Sequence, residues 1–203
     1  MKWQPCLILA AVLLAASTVS AETPSGTVRV FLSSANPSGS WTGDLDLGAA
    51  IVTASVEAET AVGFGVLYEV RLNERLGVET GIYFADFDFE IAAIGVSDDF
   101  GSALAIPLTL GLNYHPYVGE RVDIYVGPLL SYTLWGDLDT PVGVAEVDSD
   151  FGVGAVAGMD VRLGGSGWVL STGLRYITTA LSDPTVAVDV DPIFAEIGLG
   201  FSF

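Results

Sequence analysis

Aspartates are the residues of this chain whose spacing first suggests chemistry. Asp-x-Asp pairs recur at Asp44/Asp46, Asp86/Asp88, Asp137/Asp139, Asp148/Asp150 and Asp189/Asp191. On an extended strand each pair puts two carboxylates on one face, ~7 Å apart. With oxygens from a neighbouring loop, such a pair could hold Ca²⁺ or Mg²⁺. No twelve-residue Ca²⁺ loop with its glycine and closing glutamate is present, and Gly164-Gly165-Ser166-Gly167 lacks the Asp that a Ca²⁺-binding repeat needs. A solvated acidic face is the favoured reading. His115 is the single histidine, with no cysteine beside it, and reads as a turn residue rather than a metal ligand or general base. No Gly-x-Ser-x-Gly elbow occurs among the serines. The sequence therefore predicts no catalytic residue, no metal and no cofactor. A hydrolase is the enzyme alternative, and little supports it.

A second set of ionisable residues sits inside apolar alternation. Eight runs read as strands: Thr27–Ser33, Ala61–Arg71, Leu76–Phe89, Ser102–Tyr114, Val122–Trp135, Asp150–Arg162, Trp168–Thr179 and Asp191–Phe203. In the last, Ile193, Ala195, Ile197, Leu199, Phe201 and Phe203 share one face, and Phe194, Glu196, Gly198, Gly200 and Ser202 share the other. The same period of two gives Leu104 to Tyr114, Val122 to Leu134 and Phe151 to Val161 an uncharged face. Glu69, Glu79, Asp123, Asp160, Arg175 and Glu196 fall on the opposite faces, among glycines and small polar residues. Both signs are present, so these six can pair inside a closed barrel. Arg175 has Glu196, Glu69 and Asp160 as candidate partners. Filling and neutralising the interior is favoured over a gated ion path. Pro107 and Pro128 lack a ladder donor and predict bulges or bends.

The connections alternate in length. Leu72–Arg75, His115–Arg121 and Leu163–Gly167 are short; Ser34–Thr60, Glu90–Gly101, Gly136–Ser149 and Ala180–Val190 are long. The long connections and their rims hold seventeen acidic residues and no Lys or Arg, whereas Arg71, Arg75, Arg121 and Arg162 lie at the short turns. Short turns at one end and long loops at the other characterise bacterial outer-membrane barrels. The fold class expected is all-β: an eight-stranded antiparallel transmembrane β-barrel with N- and C-termini periplasmic. A soluble lipocalin-like barrel or sandwich would carry many more charges on its second face. Phe201 and Phe203, on a strand that ends the sequence, are the expected assembly signal for barrel-assembly machinery.

Residues 1–21 read as a cleaved secretory signal peptide, with Lys2, the apolar run Leu7–Ala16 and the small-residue site Val19-Ser20-Ala21. Residues 22–203 are then the barrel domain, exported to the outer membrane of a Gram-negative cell. Cys6 precedes the apolar run, so the mature chain has no thiol. Net charge is −18, which excludes nucleic acid as a partner. Expected partners are outer-membrane lipids and lipopolysaccharide, with divalent cations at the acidic rim.

Several stretches resemble the OmpW family of outer-membrane proteins. They are Leu76-Gly77-Val78-Glu79 after Tyr68, Pro107-Leu108-Thr109-Leu110 leading to Tyr114, and Tyr125-Val126-Gly127 with Tyr132-Thr133. Asp150-Phe151-Gly152 through Gly158-Met159-Asp160, and Asp191-Pro192 followed by Gly198 to Phe203, complete the series. The turn after Tyr114 and the Ser34–Thr60 segment depart from it. The resemblance implies an eight-stranded barrel with a narrow, largely hydrophobic lumen, porin-like transport of small hydrophobic molecules, and no catalytic residues. The alternative is a structural or surface-interaction barrel with a plugged lumen and acidic extracellular loops. A continuous apolar path would favour transport; a belt of ion pairs across the middle would favour a plug.

Overall fold

Side chains of a strand alternate between its two faces, so a sheet closed on itself sorts every residue into lumen or exterior. The computed structural model describes residues 26–46, 51–93, 96–140, 143–182 and 187–203. The signal-peptide segment, residues 1–21, lies outside the described residues. The strands in chain order are β1 (Gly26–Asn36), β2 (Ser40–Asp46), β3 (Ile51–Ala58), β4 (Ala61–Asn73), β5 (Leu76–Ala93), β6 (Val96–Val118) and β7 (Val122–Trp135). They continue as β8 (Leu138–Thr140), β9 (Gly143–Ala145), β10 (Asp150–Arg162), β11 (Trp168–Ile177), β12 (Ala180–Ser182), β13 (Ala187–Asp189) and β14 (Ile193–Ser202).

Eight of them close a ring. β1 pairs with β4, then β5, β6, β7, β10, β11 and β14 follow, and β14 returns to β1, every pair antiparallel. Closure leaves no unpaired edge, which a sheet in lipid requires. Val30, Leu32, Val62, Leu112, Leu130, Val153, Leu174, Ile197 and Leu199 point outward and are exposed. Phe31, Leu67, Tyr83, Tyr125, Leu129 and Phe194 point inward and are buried. The alternation read from the sequence is thus apolar-out. Gly26 and Phe203 lie together at the short-turn end, where their backbones exchange two hydrogen bonds of 2.9 Å.

The long-loop end holds more strand than the sequence suggested. β5 and β6 have 18 and 23 residues, well beyond the ~9–11 that cross a bilayer. Their ladder continues to Ala93↔Val96, so much of the Glu90–Gly101 connection is a projecting hairpin. The Ser34–Thr60 connection contains the β2–β3 hairpin, which docks on β5. Pro107 and Pro128 make no bulge. The ladders β5–β6 and β6–β7 skip a pair or two beside them and resume in the same register. The shift in β6–β7 falls between Tyr114 and Tyr117, around Pro116. Leu181, Val188 and Val190, on and beside the β12–β13 hairpin, pack with Phe87, Phe89, Trp135 and Leu138 over the lumen.

Candidate functional site

Five carboxylates, three guanidiniums and one imidazole meet inside the barrel. Strand position explains the meeting. Glu69 and Arg71 are near the end of β4, His115 near the end of β6, Asp123 at the start of β7 and Asp160 near the end of β10, all toward the short turns. Arg29 and Glu79 are each fourth in β1 and β5. Arg175 on β11 and Glu196 on β14 reach in from slightly farther along the barrel. Every strand of the ring contributes at least one of these groups.

Arg29 is the hub. Its Nε donates to both Asp160 oxygens at 3.2 Å, and its Nη2 donates to Asp160 Oδ2 at 2.6 Å and to Glu69 Oε2 at 2.8 Å. Its Nη1 lies 3.7 Å from Glu79 Oε2. Arg175 donates from Nη2 to Glu79 Oε1 at 2.8 Å and from Nε to Glu196 Oε1 at 3.0 Å. Glu79 therefore links the two arginines, and Asn113 donates to it at 3.3 Å. Nearer the short turns, Arg71 pairs with Glu69 at 3.0 Å and with Asp123. His115 stands between the same two carboxylates, its Nε2 2.8 Å from Glu69 and its Nδ1 2.8 Å from Asp123.

Apart from Arg71, whose side chain is 16% exposed, no member exceeds 6%. Charges so far from water persist only when paired and hydrogen-bonded. Two tyrosines complete the enclosure. The Arg29 guanidinium sits over the Tyr125 ring and that of Arg175 over Tyr83, each 5.1 Å from the centroid. Both rings fit because a glycine faces them: a Cβ on Gly158 would strike Tyr125, and one on Gly65 would strike Tyr83.

All six charged residues singled out in the sequence, Glu69, Glu79, Asp123, Asp160, Arg175 and Glu196, enter this one network. The pairing differs from the candidates given for Arg175: it takes Glu196 and Glu79, while Glu69 and Asp160 go to Arg29. Three members were missed. Arg71, placed at a short turn from the sequence, pairs inside the barrel with Glu69 and Asp123. Arg29 alternates with Val28, Val30 and Leu32 and could have been found by the rule that found the others. His115 is not a turn residue but a buried strand residue, because β6 continues through Pro116 to Val118. Phe201 and Phe203 point outward, at 40% and 64% exposure, and join Trp168 and Tyr68 in an aromatic row around the short-turn rim. At the other end Glu57, Asp86, Asp88, Asp98, Asp137, Asp139 and Asp148 are exposed. Among the described residues no three His, Cys, Asp or Glu side chains gather as a metal site.

Beyond the belt the interior is filled by apolar and aromatic side chains, among them Phe31, Leu67, Phe87 and Phe194. Ser33, Thr109, Ser131 and Thr133 are buried there with hydroxyls that have no protein partner. A shallow groove on the outer wall, lined by Ile124, Val126, Ala157, Leu174 and Ile197, faces lipid rather than this interior.

The sequence matches the outer membrane protein beta-barrel domain over residues 6–203. The chain belongs to that family. Members of this family reside in the outer membrane, as does this protein, and the short turns of such barrels are periplasmic. The fold is similar to that of OprG from Pseudomonas aeruginosa, with a TM-score of 0.73 at 18% identity over 90% of this chain and 97% of that one. It is similar to AlkL, determined in DMPC bilayers, with a TM-score of 0.60 at 22% identity over 91% and 93%. Neisserial surface protein A gives 0.60 at 13% identity over 90% and 100%. At such identities the likeness concerns the fold. No curated protein sequence matches the chain.

Proposed function

We propose that this protein is a non-enzymatic outer-membrane barrel of OmpW type whose lumen is plugged, serving as a structural or surface-interaction barrel with acidic extracellular loops. The observation that carries this reading is the belt itself. It takes a charged or hydrogen-bonding group from all eight walls and leaves them buried and mutually paired. A hydrophobic solute moving along the axis would have to separate ion pairs in a low-dielectric interior, which costs several kcal/mol per uncompensated charge. Family membership and the resemblance in strands support the OmpW assignment.

A second reading keeps small hydrophobic molecules as ligands. The apolar wall beyond the belt, with its unpartnered hydroxyls, suits a small solute entering from the cell surface. On that reading the solute leaves through the wall or only when the belt opens. Planar-bilayer conductance combined with hydrophobic-solute uptake by purified, reconstituted protein separates the two. The plugged barrel gives neither steady current nor solute-dependent uptake. Uptake with no ionic current would favour the hydrophobic conduit, and a steady ohmic current at mildly acidic pH would overturn the plug.

A further inference from the structure

We propose that His115 is a proton-operated latch on the periplasmic face of the belt, holding the plug closed as an imidazolium and loosening it when that proton is lost. The inference rests on the plugged-lumen reading and goes beyond it.

The geometry carries it. Both ring nitrogens of His115 face carboxylate oxygens at 2.8 Å, Glu69 on β4 and Asp123 on β7. Ionised carboxylates only accept hydrogen bonds, so both nitrogens must carry a proton to donate. A neutral imidazole has one N–H and one lone pair. In this site the lone pair would point at a carboxylate oxygen across a hydrogen-bond distance, turning an attraction into a repulsion. The ring is fully buried, so water cannot relieve it.

Every element packed around the ring bears on this balance. β4 presents Glu69 and Arg71, and β7 presents Asp123 and the Tyr125 ring, 5.7 Å away. β1 presents Arg29 through Glu69, β10 presents Asp160 opposite Asp123, and β5 presents Glu79 beside Asn113. Arg71 already serves both carboxylates that flank the ring, but five carboxylates face only three guanidiniums across the belt. The imidazolium offsets part of that excess. Its loss sets an imidazole lone pair against Glu69 or Asp123 and leaves Glu69 to Arg29 and Arg71 alone. Glu69 in turn positions Arg29, which holds Asp160 and shares Glu79 with Arg175. Local deprotonation is thereby passed to the centre of the plug.

The direction follows. The latch is closed at acidic pH, where the imidazolium is present, and loosens as pH rises through its deprotonation. Because His115 is the single histidine, one imidazole resonance reports it. The test is ¹⁵N NMR of the imidazole in nanodiscs, paired with bilayer current from about pH 5 to about pH 9. We expect two protonated ring nitrogens at the acidic end, deprotonation at higher pH, and a rise in open probability of about tenfold that tracks it. His115→Lys, a permanent cation, should stay closed across the range. His115→Gln should lose the pH response, and if it does not fold, Asp123→Asn, which frees one ring nitrogen from its carboxylate, should lose it too. A neutral imidazole at the acidic end, or a closed wild-type pore across the range, overturns the latch and leaves the plug standing. A pH response retained in His115→Gln or Asp123→Asn also overturns it. A steady current already present at acidic pH overturns the plug itself.

Discussion

At the scale of single residues, Arg29 decides whether the interior is a set of matched charges or of orphaned ones. It pairs with three of the five carboxylates and sits over the Tyr125 ring. Arg29→Met should cost ~3–5 kcal/mol in unfolding, because it leaves Glu69 and Asp160 buried with too little positive charge. Replacing Glu69 by Gln and Asp160 by Asn in the same chain should recover much of that loss. Denaturant titration of the three proteins in detergent checks both statements, and an Arg29→Met variant as stable as the wild type would contradict them. The six charged residues named from sequence were legible because each interrupts an apolar alternation on its inward phase. Their partners were not, since cross-barrel neighbours depend on strand tilt and register, which no local pattern records. His115 was hidden by Pro116. The dipeptide reads as a turn, whereas here the proline falls in a strand irregularity and β6 runs on through it.

At the scale of elements, the seam between β1 and β14 depends on the last residue. Phe203 exchanges two backbone hydrogen bonds with Gly26, lays its ring over that glycine and stacks with Tyr68 of β4 at 6.5 Å. We propose that Phe201 and Phe203 also present the strand to barrel-assembly machinery. Deleting Phe203, or changing it to Asp, should then block assembly, read as loss of heat-modifiable migration and of outer-membrane yield. Gly26→Val, which fills the space under the ring, should slow closure without altering the terminal residue. Facing is testable in the same way. Leu130→Arg or Val153→Arg should lower stability by ~2–4 kcal/mol at mid-bilayer, while the inward Thr109→Ser should cost far less. Gly154 is not a usable inward control, because a Cβ there would strike the Tyr176 carbonyl oxygen. The existence and facing of the eight ring strands were readable from period two, whereas β2, β3, β8, β9, β12 and β13 lie in segments read as connections. Strand length was not, because the projecting parts of β5 and β6 beyond Phe89 carry Glu90, Asp98 and Asp99, and such carboxylates read as loop.

At the scale of the whole molecule, charge is divided between an ion-paired interior and an acidic outer end. The net charge of −18 resides largely on the long-loop side. Since no described carboxylates form a metal site on their own, we propose that divalent cations there are shared with lipid headgroups. Ca²⁺ should then raise the unfolding midpoint more than NaCl at matched ionic strength, and Asn at Asp137, Asp139, Asp148 and Asp150 should shrink the difference. Equal stabilisation by both salts would leave only screening. The central claim remains that nothing passes along the axis while the belt is intact. It is tested most directly by thiol access in a Cys6→Ser background, which removes the chain's one cysteine. Ser131 is 2% exposed and lies on the long-loop side of the belt, eight residues beyond Asp123 on β7. Glu74 sits in an exposed short turn. With a membrane-impermeant thiol reagent applied from the periplasmic side at mildly acidic pH, Glu74→Cys should label fully while Ser131→Cys stays unlabelled. Labelling of Ser131→Cys at the rate of Glu74→Cys would mean the lumen is open from below, and the plug would not exist.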